Sequence, residues 1–554
     1  MRYIALATDY DGTLAHDGRV DDETLHALDR LRLSGRKLIL VTGRQLDDLQ
    51  SVFPRFDIFD RIVAENGAVV YTPETREKQV LADPPPQPFI DLLKARGVEP
   101  LSVGDVIVAT WRPHETTVIE AIRDLGLELH VVFNKGAVMV LPATVNKMTG
   151  LKAALKSMQI SEHNVAAVGD AENDHAFLKW SEFSAAVANA LPALKQTADF
   201  VTLGDHGAGV VELIDMILAD DLASHEPARR AMEIGREGET RITIPAHGKT
   251  VLIAGESGTG KSTFIGAVIE SLMEQHYQVC LIDPEGDYES FAGAIAVGDE
   301  QHAPTTSQIL QALEKPSRQV VAGFLAISVE DRPRFFAALA PRLFELRVRS
   351  GRPHWIVIDE AHHMLPRESP PIAGDWKNVV MTTVRPDRIS QPALDAVDVV
   401  IALGESAPAI IETFCERKPE IMLSTGEALV WFRGSDEIHH VKLIQSKAHR
   451  KRHQRKYAAG ELGEDNSFYF RGPENKLNLR AQNLATFLQI ADGVDDETWL
   501  YHLKRGDYSR WFREKIKDDA LAAEAEQVER NSADPKHTRE KIRDAVERRY
   551  TAPA

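Results

Sequence analysis

The sequence predicts an α/β protein: two doubly wound domains in series, one Rossmann-like and one P-loop-like, then a small helical module. The first domain carries an inserted α+β cap. Three observations point there. Short, uniformly apolar segments alternate with amphipathic ones over most of the chain, the pattern of parallel strands buried on both faces and joined by helices. Several of these segments end in polar clusters, and ligands of doubly wound sheets bind beyond the carboxyl ends of strands. A glycine-rich stretch, Gly255-Glu256-Ser257-Gly258-Thr259-Gly260-Lys261-Ser262, follows one apolar segment and opens a helix.

The 554 residues exceed one core, and at roughly 100–200 residues per domain three domains are expected. We place them at 1–222 (cap about 82–142), 223–445 and 446–554. A net charge of -18 argues against a generally sticky nucleic-acid binder. Residues Lys447 to Lys456 are locally basic, as a solvated linker or a nucleic-acid contact would be. Two cysteines, Cys280 and Cys415, allow no disulfide framework and suit a reducing cytosol. The first residues lack the charged start and apolar run of a signal peptide, and no stretch is apolar enough to span a membrane.

In the first domain, Tyr3–Ala7, Lys37–Val41 and Asn164–Val168 read as buried parallel strands. Each ends in a polar cluster, respectively Asp9/Asp11, Thr42/Gly43/Arg44 and Asp170/Asp174, so the three ends suggest one site. Between Pro84 and Pro142, segments Val106–Trp111, His130–Phe133 and Ala137–Leu141 predict a sheet around a helix near Thr116–Leu125, the cap.

Asp9 at a strand end can attack phosphorus and form an aspartyl-phosphate. Asp11, two residues on, points the same way and can protonate the leaving oxygen, then deprotonate water. Carboxylates this close repel one another and call for a divalent cation; magnesium suits oxygen ligands and phosphate. Gly12-Thr13 lets the chain turn tightly around the site.

Asp9-Tyr10-Asp11-Gly12-Thr13-Leu14 resembles the first motif of haloacid-dehalogenase-type phosphatases, and Val41-Thr42-Gly43-Arg44 the second. Lys147 in Asn146–Leu151 matches the lysine motif, and Gly169-Asp170-Ala171-Glu172-Asn173-Asp174 the acidic fourth. Glu65-Asn66-Gly67-Ala68 is typical of the large-cap branch, with its Cof-type, sucrose-phosphate and phosphoglycolate phosphatases. The resemblance covers residues 1–220. It implies that Asp9 is nucleophile and metal ligand, and that Asp11 is acid/base and offers a carbonyl to the metal. Thr42, Gly43, Lys147 and Asn173 would bind the phosphoryl group, and Asp170 and Asp174 would hold or orient Mg2+. Arg44 would touch substrate or form a structural ion pair. The cap should select the substrate, with Arg112, His114 and Lys135 as candidate contacts beside plain surface roles.

In the second domain, the strand–loop–helix context makes residues 255–262, with Thr263, an ATP site. Backbone N–H groups cradle the phosphates, Lys261 reaches the β- and γ-phosphates, and Ser262 ligates Mg2+. The strand Trp355–Ile358 ends in Asp359, for the metal, and Glu360, to activate water. Ile282–Tyr288, Asp359–His362 and Thr382–Asp387 resemble HerA/FtsK-like ATPases over about residues 240–445, a group whose motor members form hexameric rings that pump DNA. An N-terminal barrel of the HerA kind is not evident; the phosphatase-like domain stands in its place. Arg385 or Arg388 would serve as arginine finger or sensor, or form structural ion pairs. His362 and His363 fit packing better than metal ligation.

In the tail, Ser467–Arg471 and the tryptophan-bearing segment up to Lys515 suggest a small folded module, and the charge-rich 514–550 a long solvated or partly disordered helix. The leading expectation is a cytosolic magnesium-dependent phosphohydrolase of a small phosphorylated metabolite, a sugar phosphate or phosphoglycolate, fused to an ATPase that regulates or assembles it. The alternative is a ring-forming nucleic-acid motor or defence NTPase whose phosphatase trims nucleotides or nucleic-acid ends. A homo-oligomer, hexameric if motor-like, is open, and nucleic acid is not favoured.

Overall fold

The computed structural model describes residues 1–134, 136–288, 291, 293–446, 467–516, 518–531 and 534–550. The chain divides into two compact units, Met1–Ser446 and Lys447–Ala554. The basic run Lys447–Lys456 and Lys135 lie outside the described residues.

Strands β1 (Ala5–Asp9), β2 (Lys37–Val41), β3 (Arg61–Ala64), β4 (Val69–Thr72) and β5 (Glu77–Val80) open the first domain. The cap strands β6 (Ser102–Val103), β7 (Val108–Trp111), β8 (Leu129–Asn134) and β9 (Ala137–Pro142) follow, then β10 (Val165–Gly169), β11 (Phe183–Ala186) and β12 (Phe200–Val201). Among the described residues the main sheet runs β12-β11-β10-β1-β2-β3-β4-β5, parallel from β12 to β3 and antiparallel beyond. The chain winds outward from β1 on one side and returns to β10 on the other. The switch point therefore lies between these two neighbours, where a crevice opens beyond their carboxyl ends. Both strands are fully buried, which is why they read as continuous apolar runs.

The cap is a separate antiparallel sheet, β6-β7-β9-β8, with helices Gln87–Ala95 and Glu115–Asp124 and its own core of Phe89, Leu93, Val118 and Val140 among others. Its first long strand begins at Val108, later than the Val106 start expected from hydropathy. Val106 and Ile107 instead pack into the main core, and their N–H groups bond to Glu65.

The second sheet uses β13 (Met232–Glu237), β14 (Thr240–Ile244), β15 (Thr250–Gly255), β16 (Val279–Asp283), β17 (Ala294–Val297), β18 (Gln319–Gly323), β19 (Trp355–Ile358), β20 (Val379–Thr383), β21 (Val399–Leu403), β22 (Glu427–Phe432) and β23 (Ile438–Leu443). Their order is β14-β13-β23-β22-β21-β15-β20-β19-β16-β18-β17. The stretch from β21 to β17 is parallel. Val251 and Ile253 pack on one face and Leu252 and Ala254 on the other, the alternation of a strand covered on both sides.

The two domains of this unit meet at the amino ends of their sheets. His163, just before β10, stacks on Tyr277, just before β16, with ring centroids 3.7 Å apart. Its Nε2 lies 2.7 Å from the Gln275 carbonyl. His354, just before β19, bonds Asn164 at 3.3 Å. The carboxyl ends of β10, β16 and β19 thus point away from the seam.

The second unit pairs β24 (Phe468–Phe470) with β25 (Leu479–Ala481) against helices Leu484–Gly493, Asp496–Lys504 and Asp507–Glu514. The expectation for 514–550 needs correction. Helices Asp519–Asn531 and Pro535–Tyr550 are ordered parts of this core, burying Leu521, Ala522, Ala525, Ile542 and Val546. These apolar residues recur at helical spacing within a highly charged sequence, so composition alone hides them.

Candidate functional site

At the β1–β10 crevice, three carboxylates converge. One ligand oxygen each from Asp9, Asp170 and Asp174 lies within 4.8 Å of the others. All three are nearly sealed from solvent, at 3%, 3% and 0% exposure. Asp9 closes β1, and Asp170 follows β10. Asp174 returns to the same point because its Oδ2 accepts the N–H groups of Asp170 and Ala171, both at 2.9 Å. Thr13 donates to Asp170 Oδ1 at 3.3 Å.

Lys147 completes the cluster. Its Nζ donates to Asp9 Oδ1 at 2.5 Å and to Asp174 Oδ1 at 2.6 Å. It is the first residue of helix Lys147–Met158, which starts with a capping box between Asn146 and Thr149. The helix can reach the site only because Gly150 has no side chain. A Cβ there would stand 2.5 Å from Val63 Cγ1 and 2.6 Å from the Gly67 Cα.

Burial, then the charges of Asp174 and Asp170, pushes the Asp9 carboxyl well above the usual range, and Lys147 opposes them only in part. Burial works against the Lys147 charge, but Asp174 and Asp9 outweigh it and keep the ammonium protonated. One ammonium among three buried carboxylates leaves negative charge over. The all-oxygen donor set fits a hard divalent cation, which would let the three ionise together.

Asp11 lies beside the cluster, held by Arg44 through Nε to Oδ2 at 2.7 Å and Nη2 to Oδ1 at 2.8 Å. Arg44 also bonds Asp48 at 2.7 Å. Arg44, open between substrate contact and ion pair in the sequence, forms an ion pair here. Thr42 Oγ1 accepts the Arg44 N–H at 3.1 Å. A Cβ on Gly43 would meet Met139 Sδ at 3.5 Å and Asn173 Nδ2 at 3.9 Å, which places cap strand β9 over this loop. Asn173 donates to Asn66 Oδ1 at 3.0 Å. Of the cap candidates, His114 bonds the Glu99 carbonyl at 3.0 Å and Arg112 lies over the Phe133 ring at 6.0 Å.

Glu65 is a residue the sequence did not single out individually. Its buried carboxylate accepts the backbone N–H groups of Asp105, Val106 and Ile107, each at 2.8 Å, and so clamps the cap's root to the main sheet. The Glu-Asn-Gly motif was visible, but its partner segment, 40 residues away, was not.

In the second sheet, β15 leads into the glycine-rich loop, whose Gly255, Gly258 and Gly260 have φ of 157°, 84° and 96°. Lys261 opens helix Lys261–Glu274 and donates to the carbonyls of Gly255 and Glu256, both at 2.8 Å. Ser262 and Thr263 follow in its first turn. The Glu256 carboxylate accepts the Ser406 N–H at 2.7 Å, which ties the loop to the end of β21. Ser257 and Thr259 complete the loop.

Asp359 and Glu360 follow β19, one strand (β20) away from β15. Thr382 of β20 donates to Asp359 Oδ1 and accepts the Glu360 N–H at 3.1 Å. His362 Nδ1 lies 3.1 Å from Thr383 Oγ1 and 3.4 Å from Glu360 Oε2. Burial, then the neighbouring cations and His363, brings the His362 imidazole down to about 4, so it is neutral. Arg385 pairs with Asp387 at 2.8 Å, and Arg388 stands exposed beside it. Asp283, closing β16, accepts the N–H groups of Glu285, Gly286, Asp287 and Tyr288 and fixes the following turn. Burial pushes its carboxyl up to about 7.

The haloacid dehalogenase-like hydrolase family matches at residues 6–105 and 103–214. A phosphoglycolate phosphatase of Methanothermobacter thermautotrophicus is 34% identical over 220 residues, covering 96% of that protein and 38% of this chain. The chain belongs to the haloacid dehalogenase-like hydrolases. The hydrolase domain is also 40% identical over 229 residues to phosphoglycolate phosphatase 2 of Saccharolobus solfataricus, covering 93% of it and 39% of this chain. The structure of a haloacid dehalogenase-like hydrolase from Bacteroides thetaiotaomicron aligns with 39% of this chain and 99% of its own, at 19% identity and a TM-score of 0.35. Beyond the hydrolase domain, residues 236–340 match the central domain of helicase HerA. The chain is thus a fusion of the two. Among the described residues, no helix is long and apolar enough to cross a membrane.

Proposed function

We propose that the first domain, residues 1–222 with its cap near 82–142, is a magnesium-dependent phosphatase of a small phosphorylated acid or sugar, phosphoglycolate being the first candidate. The observation that carries this is the buried Asp9–Asp170–Asp174 cluster bridged by Lys147. Phosphoglycolate enters from the hydrolase domain's relatives, of which the chain covers 96% and 93% of the length.

Asp9 attacks phosphorus as the bond to the ester oxygen breaks, and Asp11 gives its proton to that oxygen. Asp11 then takes a proton from water, which attacks the aspartyl-phosphate, releases inorganic phosphate and restores the Asp9 carboxylate. Lys147 orients Asp9 and, with Thr42, the Gly43 backbone and Asn173, meets the charge on the phosphoryl oxygens. Asp9, the Asp11 carbonyl and Asp170, with Asp174 bracing them, would hold Mg2+, whose positive charge would let nucleophile and phosphate approach.

The second domain, 223–445, binds and hydrolyses ATP through residues 255–263; Ser262 and Asp359 would hold Mg2+, and Glu360 activates water. Arg385 and Arg388 are the candidates to complete such a site across a homo-oligomer. The HerA-like match and the order of loop, β19 and β20 support this reading. Two cysteines without a disulfide among the described residues fit work in the cytosol.

The deciding experiment measures phosphate release from phosphoglycolate and a sugar-phosphate panel, with and without ATP. Asp9→Asn should abolish release while ATP still binds; full turnover by that variant would sink the assignment. Lys261→Ala should remove ATP hydrolysis and leave Asp9 chemistry in place.

A further inference from the structure

The seam between the two α/β domains encloses a cavity of about 300 Å³, at the lower end of the size range for small-molecule sites. Its walls come from both sides: Arg2, Glu182 and Asp221 from the hydrolase domain; His247, Lys249, Arg347 and Lys377 from the HerA-like one. It lies at the amino ends of the sheets, away from both Asp9 and the glycine-rich loop.

Arg347 sets this cavity apart. The residue is 7% exposed and stands on helix Arg332–Ser350. Its Nε donates to the Pro353 carbonyl at 3.0 Å, and its Nη1 to the Lys377 carbonyl at 2.5 Å and, at 3.4 Å, to that of Asp375. Nη2 has no hydrogen-bond partner. Among the described residues Arg347 makes no ion pair, and burial brings its guanidinium down to about 10. At hydrogen-bond range this buried cation meets only carbonyl dipoles, with the Phe344 ring 5.9 Å away and the Asp375 charge nearby, and an anion on Nη2 would lower the cost of its burial.

Five carboxylates also line the cavity: Asp220 accepts from Ser224, the exposed Asp375 accepts the Lys377 N–H at 3.0 Å, and the other three are ion-paired. Glu182 is held by Arg2 at 2.9 Å and His163 at 2.7 Å, Asp221 by Arg36 at 3.0 Å, and Glu226 by Arg2 at 2.6 Å. Lys249 and Lys377 add two more cations to the wall, and neither forms an ion pair among the described residues. Burial holds His247 neutral, so its ring can offer one N–H donor.

We propose that this cavity binds the phosphate or carboxylate group of a small metabolite, with Arg347 Nη2 as the principal donor and His247 and Lys249 beside it. A ligand there touches both domains at once, so its binding is linked to how they dock.

Crystals of the full chain soaked in selenate, a tetrahedral dianion with an anomalous signal, should show a selenium peak within hydrogen-bond reach of Arg347 Nη2. Peaks confined to the Asp9 crevice and the glycine-rich loop would overturn the proposal. In solution, thermal unfolding is followed against inorganic phosphate and, separately, malonate, in wild type and Arg347→Gln. The two other phosphate sites are common to both proteins, so the difference reads the cavity. Loss of the charged hydrogen bond should weaken the apparent affinity about tenfold. A difference with phosphate alone assigns a phosphate ester, and with malonate alone a carboxylate. Identical curves for both ions overturn the site. If Arg347→Gln fails to fold, Lys249→Gln with Lys377→Gln replaces it and must weaken the same shift; no weakening overturns the proposal.

Discussion

Arg44 grips Asp11 through two hydrogen bonds of 2.7 and 2.8 Å, one to each carboxylate oxygen. A fork-on-fork pair of this kind fixes orientation as well as charge. If Asp11 is the proton carrier, Arg44 acts on the reaction through it.

That dependence can be read in a double-mutant cycle. Asp11→Asn should lower kcat about 10²–10⁴-fold, the usual range for losing a positioned acid/base. Arg44→Gln alone should lower kcat/KM about tenfold by releasing Asp11 from its place. In the Asp11→Asn background the Arg44 change should add almost nothing, because its partner is already gone. Independent, multiplying effects in steady-state kinetics would show that Arg44 works on the substrate directly.

Lys147 should link activity to stability. Replacing it with methionine leaves Asp9 and Asp174 buried without their shared ammonium. Removing one partner of a buried pair costs about 3–5 kcal/mol. Lys147→Met should therefore unfold earlier than wild type in EDTA, recover part of the loss with added Mg2+, and turn over at least about 10²-fold more slowly. Unfolding scans with and without the cation check this. A variant indifferent to Mg2+ would remove the cluster's claim to a metal.

The clamp from Glu65 to the cap root gives a third test. Its carboxylate accepts three N–H groups at 2.8 Å, and a glutamine can accept at only one of its two terminal atoms. Glu65→Gln should cost about 1–3 kcal/mol and raise KM, since cap and crevice lose their fixed relation. Gly104→Ala should behave alike, because its Cβ would stand 2.5 Å from Glu65 Oε1. A normal KM in both variants would mean the cap is held elsewhere.

Much of the fold and the positions of the main clusters were legible because they rest on local signals. Buried parallel strands announce themselves as apolar runs, and Asp9, Thr42, Asp170 and Asp359 each stand at or just beyond the end of one. Lys147 could be placed because Asn146–Leu151 matches a motif; the cap at Asn146 that starts its helix came only with the fold. Long-range pairings were not legible. Nothing near Glu65 names residues 105–107, and nothing near His163 names Tyr277 or Glu182. The helices of 519–550 are obscured in the sequence for another reason: Leu521 and Ile542 lie in stretches whose charge density masks their spacing. Arg44 was ambiguous in the sequence because one guanidinium suits a ligand or a neighbouring carboxylate equally, and only the fold brings Asp11 within its reach.

The seam between the domains should respond to acid through His354. Its Nδ1 accepts the Gln278 N–H at 2.7 Å, so the ring is neutral and carries its proton on Nε2, which faces Asn164 Oδ1 at 3.3 Å. Burial first, then the charges of His163 and Arg352, holds the imidazole well below its ordinary 6.5. The unfolded chain titrates near the ordinary value, so below about pH 6.5 it takes up a proton that the folded protein refuses. Stability is thus fully present above that pH and falls as acid is added, by up to about 1.4 kcal/mol per pH unit for this one group. His247, shifted in the same direction, adds to the slope. Glu182 is also depressed: burial works against it, but His163 and the guanidiniums of Arg2 and Arg230 outweigh burial, so its contribution is lost only below about pH 4.5. Urea unfolding at pH 7.5, 6.5, 5.5, 4.5 and 3.5 separates the two windows. His354→Gln should flatten the dependence between pH 6.5 and 5.5 and leave the loss at lower pH unchanged. An unaltered slope in that variant would place the acid sensitivity outside the seam.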